Sequence, residues 1–256
     1  MAKKVPYLYE VDIERDAAAL LAEYAQVRGG VIDTPIPIED IVEKHLKIGL
    51  EFDDMHRLFN VPRGLDPEIL GAMFFDERRI VIDESLDPEE DPSKEGRYRF
   101  TLAHEAGGHW RLHRHLFEKD PMQTSLFGEP TSPSVVCRSS QAKEPIEWQA
   151  DFYASCLLMP RTLVLAIWQE RFRTAKPLIY SRQSRTLQVN PPANGHRPRR
   201  LGEAFVDRGY DDFADGWSDY FAPMFGVSRQ SMRIRLEKLG LLLRETPRQT
   251  NFASGA

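Results

Sequence analysis

Residues 100–115 read FTLAHEAGGHWRLHRH, and four of the chain's seven histidines fall in the last twelve of these positions. The stretch has helix-forming residues at both ends and no proline. Phe100, Leu102, Ala103, Ala106, Trp110 and Leu112 supply apolar contacts, so it is expected as a helix from Tyr98 to about Leu116. His104 and His109 are five residues apart. An α-helix advances about 100° per residue, so partners four apart share a face and partners five apart do not. Gly107 and Gly108 lie between the two histidines, and glycine weakens a helix by about 1 kcal/mol relative to alanine, so distortion is cheapest there.

His-Glu followed by a histidine one turn later is the signature of zinc-peptidase helices. Two imidazoles hold the metal and the intervening glutamate is the general base. Here one residue is added. A π-bulge at Ala106–Gly108 would make the i and i+5 positions neighbours and bring His104 and His109 together. That is the expected arrangement, with Glu105 as the base. In the competing register Glu105, His109 and His113 are four apart in turn, and Glu105 becomes a ligand. His113 is then an alternative ligand and no base stands beside the metal, whereas in the expected register His113 is a candidate supporting residue behind the ligands.

A second informative run is Pro145 to Pro160, PIEWQADFYASCLLMP, with Ile146, Gln149/Ala150, Tyr153 and Leu157 at helical spacing. Glu147 stands in its first turn. A first-turn acid is favoured by the helix dipole. Beside the histidine helix it is also a third ligand, completing a two-histidine, one-glutamate set that leaves a position open for water.

Between these landmarks the elements are shorter. Asp16–Arg28 is an expected helix stopped by Gly29-Gly30, Ile38–His45 a short amphipathic helix, and Lys47–Phe52 a strand. Ile69–Phe75 and Arg79–Ile82, separated by Asp76–Arg78, are expected to form a β-hairpin. It would leave a strand edge beside the cleft, where peptidases add a substrate as a further strand. Residues 117–143 carry Pro121, Pro130 and Pro133 with serines and threonines, and are expected as a long loop. Cys137 lies there, either as a plain thiol or near the metal as a thiolate. Arg161–Glu170 is a further helix. His45, His56 and His196 are read as surface or packing histidines.

The net charge of −5 conceals an asymmetry. Residues 1–170 hold 19 Lys/Arg against 31 Asp/Glu, whereas residues 171–200 hold 8 basic residues and no acid. An acidic body does not suit nucleic acid; the basic segment reads as a linker or insertion, with a nucleic-acid-binding stretch as the competing reading. Beyond it, Phe213–Leu243 contains two helical segments joined at Phe225–Ser228, with Ser228 as the cap of the second. Ile234, Leu236 and Leu239 are expected to pack this second helix, and Arg229, Gln230, Arg233 and Arg235 to be exposed. The spacing is that of a helix-turn-helix, which makes Ser228, Arg229, Gln230 and Arg233 candidates for DNA contact. The competing reading is a helical hairpin docked on the body. Two cysteines make no disulfide framework, there is no signal-peptide core, and no apolar run is long enough to span a membrane, so a cytoplasmic protein is expected.

Together the PIPIEDIVEKH run, the hairpin, TLAHE…HWRLH and E-x-x-A-D-x-Y-A-x-x-L-L-M-P at Glu147–Pro160 resemble the ImmA/IrrE metallopeptidases over about Thr34–Glu170. FGVSRQSMRIRLEKLGLL is similar to the helix-turn-helix tail of many members. The resemblance implies an α+β fold: a compact zincin-like domain (15–170) with a small sheet and an active-site helix, a basic linker (171–200), and a small all-α helix-turn-helix segment (201–244). It implies site-specific cleavage of a partner repressor of the Cro/C1 type, relieving repression of stress-response or mobile-element genes. It also implies Zn²⁺, with Mn²⁺ as a substitute, held by His104, His109 and Glu147, and Glu105 as the base. The extra residue between Glu105 and His109 departs from the family pattern. The rival readings are a zincin-like binding module without activity and a DNA-binding regulator acting through the tail.

Overall fold

The computed structural model describes residues 5–64, 68–117, 135–138, 144–180 and 209–245. The first helix, α1 (Glu10–Arg28), begins a turn and a half before the expected Asp16, because Ile13 reaches the core together with Ala17, Leu20 and Leu21. It ends where Gly29 turns left-handed, as its sequence indicates. The Ile38–His45 segment is helical but not uniformly so. One α-turn, α2 (Ile38–Asp40), continues as a π-helical turn at Ile41–His45. Strand β1 (Gly49–Asp53) follows, then the single turn α3 (Met55–Leu58).

The expected hairpin is present as β2 (Ile69–Phe74) and β3 (Arg79–Asp83), paired antiparallel. Its strands are apolar on both faces because each face meets a core. Met73, Phe75, Ile80 and Ile82 join the main core, while Ile69, Ala72, Phe74 and Val81 pack with Met55 in a smaller one. Strand β1 runs parallel to β3, so β3 lies between β1 and β2.

Strand β4 (Val135–Arg138) corrects the reading of 117–143 as a continuous loop. It pairs antiparallel with β2 on the edge expected to stay open, so the outer strands of this sheet are β1 and β4. A Val-Val-Cys run is short for a strand on propensity alone, and pairing with β2 gives its backbone groups partners. Residues 118–134 and 139–143 lie outside the described residues, as do 181–208.

Across the sheet lies one long helical rod. It starts as α4 (Glu95–Ala103), becomes a π-helix over His104–His113, and finishes as the single turn α5 (Arg114–Phe117). The widening occupies ten residues, not the three around Ala106–Gly108. Helix α6 (Pro145–Leu158) is seated directly on it. At Gly107 a Cβ would come within 3.0 Å of the Tyr153 ring, and at Gly108 a Cβ would come within 3.0 Å of Ala150 Cβ and Cα. The two glycines therefore serve close helix contact as well as backbone distortion.

Helix α7 (Arg161–Phe172) follows α6 after Met159-Pro160. Among the described residues no single helix is long and apolar enough to cross a membrane. Helices α6 and α7 are apolar together, but they bend by 48° at their junction and their apolar faces lie in the core. The first part of the expected linker is ordered: α7 extends to Phe172, and Leu178–Tyr180 forms β5, parallel to β6 (Leu242–Arg244).

Helices α8 (Gly209–Phe225) and α9 (Arg229–Lys238) make the expected pair, and the Ser228 hydroxyl caps α9 by accepting from Ser231 N–H. The pair is docked on the body. Trp217, Phe221, Phe225, Met232 and Leu236 are fully buried in the main core, with Trp168 of α7 stacked on Phe221. At about 1.5–3 kcal/mol for each such side chain, detaching the pair is costly. The turn Gly226–Ser228 sits against α4, where Arg99 donates to the Gly226 carbonyl at 3.1 Å.

Two expectations about α9 are overturned. Ile234 is half exposed, whereas Arg235 is 1% exposed. Arg235 donates to the Met159 carbonyl and pairs with Glu14 of α1, so its charge is matched by a partner 221 positions away.

Candidate metal centre

The wide turns of the π-helix place residues five apart on one side, as the bulge reading requires. His104 Nε2 lies 3.0 Å from His109 Nε2. Glu147, entering from the first turn of α6, brings Oε2 to 3.2 Å from His104 Nε2 and Oε1 to 3.5 Å from His109 Nε2. One ligand atom from each of the three residues falls within 4.8 Å of the others. Glu105, His109 and His113 do not converge in this way. His113 stands behind His109, Nδ1 to Nδ1 at 3.4 Å.

The donor set fits a cation. His104 Nδ1 is 2.8 Å from Asp151 Oδ1, so the ring donates there and its Nε2 presents a lone pair. Two imidazole nitrogens and a carboxylate, nearly buried and crowded to hydrogen-bond distances, carry more electron pairs than protons to share. A divalent ion resolves that excess, and this nitrogen–oxygen set suits zinc.

Sequence reasoning missed Asp151. Its signal is the spacing Glu147-x-x-x-Asp151: four residues later on an α-helix is one turn further along the same face, so both acids point at the histidine helix.

Glu105 is fully buried, and neither carboxylate oxygen has a hydrogen-bond partner among the described residues. It lies between the histidines and β2, where Gly71 leaves it room. A Cβ at Gly71 would stand 3.0 Å from Thr101 Cγ2, 3.2 Å from Ile82 Cδ1 and 3.4 Å from Glu105 Oε1. Burial raises the Glu105 pKa most. The Glu147 charge adds to the rise and His104 opposes it, and the acid is pushed up to about 8. His109 is held well below the ordinary imidazole range, first by burial and then by the charges of His104 and His113, and His113 is lowered chiefly by burial.

These shifts set the pH response of the metal-free protein. Folded Glu105 keeps its proton up to about pH 8, whereas the unfolded chain releases it near 4.5, so stability falls as pH rises through that window. Folded His109 stays neutral while the unfolded imidazole binds a proton below about 6.5, so its contribution is lost as pH falls. Below 6.5 the slopes oppose each other, and above it Glu105 acts alone. The Tm of the metal-free parent is expected to fall from pH 6.5 to 8, and that of Glu105→Gln to fall less. Parallel curves in differential scanning fluorimetry would mean that the carboxyl is solvated.

The four residues read as DNA-contacting have separate fates. Ser228 caps α9, and Arg229 and Gln230 are exposed. Arg233 is engaged by Asp211, Asp215 and Glu237. Cys137 sits on β4, and Cys156 is a buried thiol pushed up to about 11, chiefly by burial.

Residues 63–189 match the family model of the IrrE N-terminal-like domain, a peptidase family designated M78. The match spans the hairpin, the histidine helix and α6. It starts later than the resemblance expected from Thr34, runs past Glu170, and does not include α8 or α9. No curated protein matches the chain.

Proposed function

Taking as premise that this chain belongs to the IrrE N-terminal-like peptidase family, we propose that it is a zinc-dependent endopeptidase whose substrate is a partner protein, a repressor of the Cro/C1 type. Cleavage at one site would relieve repression of stress-response or mobile-element genes. The observation that carries the enzymatic reading is the convergence of His104, His109 and Glu147 beside a buried, unpartnered Glu105. A binding module has no use for a desolvated carboxylate at that position.

His104, His109 and Glu147 would hold the ion. When bound, Zn²⁺ supplies Lewis acidity that polarises a carbonyl and brings the pKa of water to about 7. The remaining chemistry belongs to the chain. Glu105 accepts a proton from the attacking water as its oxygen bonds to the scissile carbonyl carbon, and then donates that proton to the departing amine nitrogen as the C–N bond breaks. The raised pKa of Glu105 belongs to the metal-free site; in the loaded site the added positive charge would favour the ionised carboxylate, the form that can accept this proton. Asp151 keeps His104 in one tautomer.

Co-expression with the Cro/C1-type repressor encoded nearest to this chain tests the reading. Two discrete repressor fragments are expected with the parent and none with a metal-stripped variant such as His104→Ala. An intact repressor in the presence of zinc-loaded parent would remove the repressor as the substrate.

A further inference from the structure

We propose that His113 and Gln149 form a neutral positioning relay, anchored on the main-chain carbonyl of Pro6, that fixes which ring nitrogen of His109 faces the metal. The inference rests on the metal-site reading above and extends it to residues outside the ligand set.

The Pro6 carbonyl accepts hydrogen bonds and cannot donate, and it lies 2.8 Å from Gln149 Nε2. The amide NH₂ of Gln149 therefore points at Pro6 and its Oε1 points the other way, to His113 Nε2 at 2.9 Å. An amide oxygen only accepts, so His113 carries its hydrogen on Nε2. A neutral imidazole has one donor and one acceptor, which makes His113 Nδ1 an acceptor. It faces His109 Nδ1 at 3.4 Å, and that nitrogen becomes the donor. His109 Nε2 is left with its lone pair directed at His104 Nε2 and Glu147. Gln149, His113 and His109 are each at most 1% exposed, so bulk water does not compete for these atoms.

The two histidines thus reach the same tautomer by different routes. His104 is set directly by a carboxylate, Asp151. His109 is set through two neutral groups, which adds no second charge to the buried side of the site. Reversing the amide would place a hydrogen on His113 Nδ1, force the His109 hydrogen onto Nε2, and point it into the space the ion takes. Gln149, His113 and His109 can each present a donor or an acceptor at these contacts, whereas the Pro6 carbonyl only accepts and so sets the direction.

The test combines zinc competition titrations with long-range ¹H–¹⁵N spectra of the histidines, on full-length protein with and without Zn²⁺. In the parent, His113 is expected to be protonated at Nε2 in both states. Gln149→Leu and His113→Phe should weaken zinc binding about 10- to 100-fold, the range for lost partners of metal-binding histidines. Gln149→Glu replaces the donor to Pro6 with a carboxylate oxygen facing that carbonyl, so it breaks the anchor and should not bind zinc with parental affinity. The relay is overturned by a parent His113 protonated at Nδ1, or by a folded Gln149→Leu or Gln149→Glu with parental affinity. If the leucine variant does not fold, the parent spectra decide alone. A parent that binds no zinc removes the metal-site reading and the relay with it, whereas tight parental binding with indifferent variants removes only the relay.

Discussion

Glu105→Gln is expected to bind zinc with the affinity of the parent and to cleave peptide bonds about 10²- to 10⁴-fold more slowly, the usual contribution of a positioned general base. The amide matches the carboxylate in shape, so the space beside Gly71 stays filled. What disappears is the proton acceptor. Among the described residues no other acid stands ready to replace it, because Glu147 and Asp151 are both engaged with the histidines. Single-turnover cleavage together with zinc titration separates the alternatives. Activity within tenfold of the parent would remove Glu105 as the base. Loss of zinc with loss of activity would make Glu105 a ligand and restore the Glu105–His109–His113 register.

Gly108→Ala carries the second large effect, because two physical readings of that glycine give opposite signs. If Gly108 is there only to loosen the helix, alanine should stabilise by about 1 kcal/mol. The structure puts Ala150 of α6 where the new Cβ would go, inside 3.0 Å of two of its atoms, one of them backbone. Helix α6 must then move outward, and overpacking of this kind costs about 1–3 kcal/mol. The clash wins, since a backbone atom cannot rotate away. Glu147 stands one turn before Ala150 on the same helix, so the displacement pulls it from His109. Zinc affinity is expected to fall at least tenfold and Tm to drop by several degrees. A Tm at or above the parental value with unchanged affinity would return Gly108 to the role of a helix breaker.

Much of the site was legible because its chemistry is written in local spacing. His104-Glu105 with His109 five residues on specifies a helix that must widen if both imidazoles are to meet, and the π-helix at His104–His113 does widen. Glu147 was legible as an acid in the first turn of an apolar helix. Asp151 was open to the same arithmetic, one turn further along the same face. The hairpin was legible from two apolar runs around Asp76–Arg78, because a strand buried on both faces shows no alternation.

The rest depended on distant partners. Strand β4 emerged from a stretch poor in strand signals because β2 offered an edge for it to pair with. Arg235 has the composition of a surface residue and is buried because Glu14, 221 positions earlier, meets it in α1. Gly107 and Gly108 read as points of weakness until Tyr153 and Ala150 pressed against them. The sequence by itself determined which side chains could bind a cation and in which elements they lie, since periodicity and residue chemistry act over one or two turns. Tertiary structure decided which histidines converge with Glu147 and what stands behind each ring. Both follow from how closely α6 approaches, and that distance is set by the volume of side chains on two helices that sequence spacing does not bring together.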